Sequence, residues 1–189
     1  MNIEAPTKSI RWPVVRVIPQ HDVACVLLSG DWLRLSTHYF GRTVLCCDND
    51  LCSLCAVLPS RPYWYLPCVV LPRKTRALLE LSASTSADLE QRAKMLHGRI
   101  GAGMTVRLTR RSPKRPVYCE IMDDTPCSPA LSLAEWVTAV MAIFGFPAMK
   151  SCETVATYSA RIQPSVIERA GVVASRVRAA SEKGVGSRR

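Results

Sequence analysis

Between residues 38 and 55 the chain carries one histidine and four cysteines, side chains that can bind a metal ion: His38, Cys46, Cys47, Cys52 and Cys55. Thiolate and imidazole are the ligands of structural zinc sites, and a Cys-x-x-Cys turn places two thiolates on one edge of the metal. Cys46 and Cys47 are adjacent and point opposite ways on a strand, so we expect only one of them to bind. The sequence predicts one structural zinc ion held by His38, Cys46, Cys52 and Cys55, with Cys47 as the substitute for Cys46.

Three other interpretations of these cysteines stay open. A redox Cys-x-x-Cys pair lies where a strand meets a helix, whereas residues 56–62 contain two prolines and do not begin a helix. Buried thiols or disulfides are the second interpretation, although the N-terminus does not resemble a secretory signal and therefore favours thiols and metal ligands. A Cys55 nucleophile with His38 as its base is the third, and bound zinc would occupy the thiolate that it needs.

The sequence contains none of the common catalytic signatures. It has no glycine-rich phosphate loop followed by Lys-Ser or Lys-Thr, no Gly-x-Ser-x-Gly and no His-Glu-x-x-His. We therefore predict that the protein is not an enzyme and that it acts by binding.

The second group of residues with a chemical use is basic. The chain has 25 Lys and Arg against 15 Asp and Glu, a net charge of +10, which favours an anionic partner and nucleic acid first. Single-strand binders combine such cations with aromatic rings on which bases stack, and several aromatics, Tyr39 and Phe40 among them, lie in or beside the cysteine-rich segment. A solvated basic loop and buried aromatics are the alternative. The residues predicted to bind nucleic acid are Tyr63, Trp64, Tyr65, Arg73, Lys74, Arg99, Arg107, Arg110, Arg111, Lys114 and Arg115.

The elements that position these residues follow from hydrophobic periodicity and turn signals. Alternating or β-branched runs predict strands over 13–19, 23–28, 63–71, 76–81, 103–111 and 117–122. Period-3.6 patterns predict helices over 84–97, 132–144 and 164–180. One helix ahead of the last hairpin is the element order of the OB-fold, a small β-barrel whose faces and loops bind oligonucleotides.

We therefore predict a mainly β protein with helices, built around an OB-like small β-barrel. Residues 1–12 form a leader, and 13–122 form the barrel with a zinc-binding insert at about 31–60, where little periodicity is present. Residues 129–181 form a helical C-terminal appendage, and 182–189 a flexible basic tail.

In this pattern the chain resembles the zinc-containing single-stranded-DNA-binding proteins of T4-type phages. A histidine and three cysteines are set among aromatic and basic residues inside an OB-like strand series. Residues 35–122 are also similar to uncharacterised proteins of bacteria and their mobile elements, which carry a comparable His…Cys…Cys-x-x-Cys stretch. The resemblance implies an OB-fold, one zinc and single-strand binding, with His38, Cys46, Cys52 and Cys55 at the positions of the metal motif. The phage proteins recruit partners through acidic tails, and this chain ends in a basic one.

The apolar helix at 132–144 predicts either packing within the chain or a contact with a second copy or a protein partner. The longest apolar stretch, 136–149, is shorter than the roughly 20 residues that cross a bilayer, so we expect no membrane segment and a soluble, cytoplasmic protein. The predicted function is binding of nucleic acid, single-stranded DNA first, without strong sequence preference. The alternative is a protein-interaction module of a replication or mobile-element complex.

Overall fold

The computed structural model describes residues 12–40, 42–47, 52–124, 131, 133–147 and 153–186. Eight strands and three helices lie in this part of the chain, which confirms the prediction of a mainly β protein with helices. The strands are β1 Val14–Arg16, β2 Asp22–Leu27, β3 Leu33–Phe40, β4 Arg42–Leu45, β5 Arg61–Val70, β6 Thr75–Ser82, β7 Met104–Thr109 and β8 Tyr118–Asp124. The helices are α1 Ala83–His97, α2 Leu133–Ile143 and α3 Val155–Gly186.

The strands form one mixed sheet that branches at β5. Its main path runs β1-β6-β5-β2-β7-β8, and only the β1–β6 pair is parallel. The first half of β5 also pairs with β3, which pairs in turn with β4. Among the described residues no ladder joins β8 back to β6 or β1, so the sheet is open and a closed OB-like barrel is not confirmed.

Alternation along β5 and β6 divides the buried side chains between two cores. Tyr65 and Leu78 face one side of the sheet, and Leu66 and Leu79 face the other. We call the first group the metal-side core, which also contains Cys46, Cys47, Cys52, Leu54, Trp136, Val140, Tyr158, Val166 and Ala170. We call the second group the sheet core, which also contains Cys25, Leu27, Cys68, Leu89, Met104, Val106, Leu108 and Cys119.

Helix α1 covers the sheet core, and its ends agree with the sequence signals. Thr85 N–H donates to the Oγ of the N-cap Ser82, and Gly98 ends the helix in the left-handed conformation that glycine favours. Leu89 and Ala93 are fully buried, but Leu96, which shares their helical face, is 64% exposed. The last turn of α1 therefore extends beyond the sheet core against which the rest of the helix packs.

Helices α2 and α3 pack against residues 31–60, which we call the metal insert. Together they supply most of the metal-side core. The insert, for which the sequence predicted no core, is thus ordered partly by apolar contacts with helices about 80 residues or more further along the chain. Within the described residues, no helix is both long and apolar enough to cross a bilayer.

Helix α3 differs from its predicted bounds at both ends. It begins at Val155, where Thr154 and Thr157 cap each other: each backbone N–H donates to the side-chain oxygen of the other residue. Pro164, the predicted first residue, lies inside the helix. The helix continues to Gly186, so residues 182–186 of the predicted flexible tail are helical. Residues 187–189 and the predicted leader up to residue 11 lie outside the described residues.

Candidate metal centre and adjoining cleft

A β-hairpin positions the first two residues of the candidate metal centre. His38 lies in β3 opposite Val44 of β4, and its side chain is only 1% exposed. Cys46 follows β4 directly, and its backbone N–H donates to the carbonyl of Ser36 at 2.8 Å. The pairing of β3 with β4 therefore brings a histidine and a cysteine eight positions apart in sequence to the same end of the hairpin.

A tight turn positions the other two residues. Cys55 N–H donates to the carbonyl of Cys52 at 3.0 Å, and Leu58 N–H donates to the carbonyl of Leu54 at 2.8 Å. Leu54, between the two cysteines, is fully buried in the metal-side core and anchors the turn. Cys52 is buried and Cys55 is exposed, so the group lies at the edge of the insert.

The four ligand atoms have the spacing of a tetrahedral metal site. All of them lie within 4.8 Å of one another. Cys46 Sγ is 3.6 Å from the Sγ of both Cys52 and Cys55, and His38 Nε2 is 3.5 Å and 3.7 Å from those two sulfurs. Zinc bonds of usual length imply tetrahedral edges of about 3.8 Å between sulfurs and about 3.6 Å from sulfur to nitrogen. The group can hold one metal ion and is consistent with a structural zinc.

The local electrostatics favour a thiolate at Cys52. Burial opposes its ionisation, but hydrogen bonds with the backbone at Cys47 and Cys55 and with the side chains of His38 and Cys46 lower its pKa to about 6. Burial and the hydrogen bond with Cys52 raise the pKa of Cys47 to about 11. A thiolate is the form that binds metal, so the insert holds one cysteine ready to coordinate beside another that stays protonated.

The structure places Cys46, rather than its substitute Cys47, in the metal group. Three other cysteines lie in strands and are fully buried in the sheet core: Cys25, Cys68 and Cys119. Burial, followed by the charge of Asp88, raises the pKa of Cys119 to about 12. Cys119 Sγ donates to the carbonyl of Thr85 at 3.8 Å, and the hydrogen bond with Cys68, together with burial, raises the pKa of Cys25.

A cleft of about 660 Å³ lies beside the metal centre. His38 lines it, together with the first turn of α1 and the loop 110–117 between β7 and β8. Its walls carry four arginines and one carboxylate: Arg16, Arg61, Arg110, Arg115 and Glu80. Two tyrosines, Tyr39 and Tyr63, also line it, and Tyr39 is 71% exposed. The cleft therefore combines cations with aromatic rings.

Glu80 is already neutralised within this wall. Arg16 donates to both of its carboxylate oxygens, at 2.6 and 3.0 Å, and Tyr65 donates its hydroxyl at 2.9 Å. Burial and the nearby Glu80 raise the pKa of Tyr65, which keeps its hydroxyl protonated as a donor. Three arginines of the cleft are thus left without a carboxylate among the residues that line it: Arg61, Arg110 and Arg115.

Three of the residues predicted to bind nucleic acid meet in this cleft: Tyr63, Arg110 and Arg115. Two predicted aromatics do not line it. Tyr65 is 1% exposed in the metal-side core, and Trp64 packs at the sheet core with the Arg34 guanidinium 5.5 Å from its ring centroid. Trp64 is only partly buried, and the buried Tyr65 donates its hydroxyl to Glu80 of the cleft wall.

The other predicted cations lie elsewhere on the surface and are exposed. Arg73 and Lys74 occupy the β5–β6 turn, at the opposite end of β5 from Arg61. Arg107 lies in β7, in register with Glu120 of β8. The remaining three follow α1 or lie in the loop 110–117 without lining the cleft: Arg99, Arg111 and Lys114.

Sequence reasoning missed two cations of the cleft, Arg16 and Arg61. Arg16 reaches the cleft because β1 pairs in parallel with β6 and places it opposite Glu80. Arg61 begins β5 and is positioned by pairing with Thr37 of β3. Neither pairing has a local signal in the sequence. Tyr39 is one of the aromatics noted beside the cysteine-rich segment, but it is not among the residues predicted to bind nucleic acid.

Comparison with known proteins gives no relative to set beside this geometry: no protein-family model, curated protein or solved structure matches the chain. The resemblance to zinc-containing phage proteins stays a prediction.

Proposed function

We propose that the protein is a zinc-stabilised domain that binds single-stranded nucleic acid in the cleft beside the metal centre. The observation that carries this proposal is the composition of the cleft. Two tyrosines line it, and three of its four arginines have no carboxylate partner among the residues that line it. Cations neutralise phosphates, and aromatic rings offer stacking surfaces to unpaired bases. A Cys₃His set leaves no open coordination position, so the zinc serves structure and not turnover.

The path of the strands supports an OB-type assignment for the sheet. An OB-fold has five strands with a helix between the third and the fourth, and is often only partly closed. Here β2, β5, β6, β7 and β8 follow that order with α1 between β6 and β7, and four ladders link them. We infer a partly open barrel whose gap lies between β6 and β8.

The position of the cleft agrees with that assignment. OB-folds bind oligonucleotides on the face of strands two and three and between the loops that join strands one to two and four to five. In this chain the first of those loops is the metal insert, and the second is the loop 110–117. Both line the cleft, together with residues of β5 and β6. The zinc would fix the shape of one wall of the binding surface.

The test is a titration of fluorescein-labelled oligothymidylate, followed by fluorescence anisotropy over a range of salt concentrations. The cleft variant replaces Arg61, Arg110 and Arg115 by glutamine. The matched control replaces three exposed cations outside the cleft by glutamine: Arg73, Lys74 and Arg107. Each lost contact on a single strand lowers the salt slope by about 0.7, so the cleft variant should lose about 2 and the control almost nothing.

Equal weakening by the two triple variants would mean that net charge, and not the cleft, carries the affinity. Absence of binding at low salt would refute the proposal. The predicted interaction module would then be the better account, although the apolar residues of α2 are already largely buried inside the chain.

A further inference from the structure

Two buried side-chain nitrogens in the described part of the chain have no hydrogen-bond partner, and both belong to residues that line the same cleft. They are Nδ1 of His38 and Nε of Arg110. Buried polar groups in proteins almost always find a partner, so an unpaired one calls for an explanation such as a bound water or ion. Their occurrence together in one cleft points to a ligand there.

The chemistry of the two nitrogens limits what that ligand can be. His38 directs Nε2 at the sulfurs of the metal group, so in the metal-bound form its Nδ1 carries the proton. Arg110 can only donate, and one terminal nitrogen of its guanidinium already donates to the carbonyl of Pro113 at 2.6 Å. Both unpaired groups are thus donors. A ligand that satisfies them must present acceptors, and the surrounding arginines require it to be anionic.

We propose that the phosphodiester backbone of a single strand accepts hydrogen bonds from Arg110 and, directly or through one ordered water, from the Nδ1–H of His38. This inference rests on the proposed function and adds that a metal ligand itself contacts the strand. A metal-bound histidine commonly donates its second N–H to a carboxylate, a carbonyl or a water, and here the nucleic acid supplies the acceptor. Binding of a strand in the cleft should therefore change the environment of the metal through its ligand His38.

The experiment uses the full chain loaded with Co²⁺, which absorbs visible light in a tetrahedral thiolate site and responds to changes at its ligands. Unlabelled oligothymidylate is added while the Co²⁺ spectrum is recorded, and anisotropy with the labelled strand is measured in parallel. We expect a spectral change that saturates together with the anisotropy. Arg110→Gln should weaken binding about tenfold, whereas Arg107→Gln, in the preceding strand β7 and outside the cleft, should weaken it less than about twofold.

The variant His38→Cys tests the Nδ1–H donor separately from metal binding. It converts the site to Cys₄, a common structural zinc set, and removes the Nδ1–H. We expect retained metal, an affinity for oligothymidylate about threefold or more lower, and no Co²⁺ spectral response. If this variant fails to hold metal, the wild-type cobalt titration and the Arg110→Gln comparison still decide the matter.

Binding by anisotropy with an unchanged Co²⁺ spectrum would overturn this inference and leave the proposed function standing. Inorganic phosphate alone, if it reproduced the full spectral change, would also overturn it, because the site would then belong to a small anion and not to a strand. Absence of any binding at low salt would remove the proposed function and this inference together.

Discussion

Replacing Cys52 by serine should release the metal and also detach α2 and α3 from the rest of the molecule. Cys52 has the lowered pKa of the metal group and is 4% exposed within the metal-side core. The helices contribute Trp136, Val140 and Tyr158 to the same core, and these pack around the insert that contains the metal group. Loss of one thiolate therefore removes the support for helices that do not touch the metal.

The expected size of the effect follows from the energies involved. Structural zinc in cysteine and histidine sites contributes about 10–16 kcal/mol of apparent binding free energy. A whole domain is stable by only about 5–15 kcal/mol, so the metal-side core should not survive without the ion. The sheet core draws its buried residues from β2, β5, β6, α1, β7 and β8, and none from the insert, α2 or α3. It should stay folded.

Hydrogen exchange read by mass spectrometry checks this division, with metal content measured on the same samples. In Cys52→Ser the amides of α2 should lose their protection, whereas those of α1 and β7 should keep most of it. Cys47→Ser is the matched control, because Cys47 is buried beside the ligands but lies outside the metal group. It should retain metal and the protection of α2.

The result that would refute this reasoning is a metal-free Cys52→Ser protein with wild-type protection in α2. The apolar contacts of α2 and α3 would then suffice to order the insert, and the metal would not be a structural requirement.

Three further predictions concern stability and are measured by urea denaturation. Gly30→Ala should cost about 1–3 kcal/mol, because a Cβ there would collide with the carbonyl of Ile100; an unchanged midpoint would contradict that close approach. Cys119, whose folded pKa of about 12 lies above its ordinary 9.0, contributes stability below pH 9 that is lost as the pH rises toward 12. At pH 10 the loss should be about 1 kcal/mol, and Cys119→Ala should make the decline shallower than in the wild type. Thr154→Ala should cost about 1 kcal/mol through the lost cap of α3, and a cost near zero would show that the cap is dispensable.

The features that the sequence predicts well are those with local causes. The four metal ligands lie between residues 38 and 55, and a hairpin and a turn suffice to bring them together. Helix α1 has a buried stripe with a serine cap and a glycine directly at its two ends, so its predicted and observed bounds almost coincide. Such features need no knowledge of the rest of the chain.

The features that the sequence does not predict depend on distant pairing. The cleft joins five separate segments, and Arg16 enters it only through a parallel pairing with a strand more than 60 residues away. The sequence does not predict the burial of Leu54, because the core that contains it also takes residues from α2 and α3. The start of α3 was missed because Pro164 resembles a first-turn proline, whereas the threonine pair at 154 and 157 is a weaker pattern.

The division between the two cores has a consequence for the order of synthesis. Every residue of the sheet core lies before residue 122, so that core is complete once β8 has left the ribosome. The metal-side core must wait for α2 and α3, which are made last. During that interval the apolar face of the insert, including Leu33, Leu35 and Leu54, lacks the cover that α2 and α3 later supply. Early uptake of the metal would keep this exposed segment compact on the nascent chain and limit its aggregation until the helices arrive.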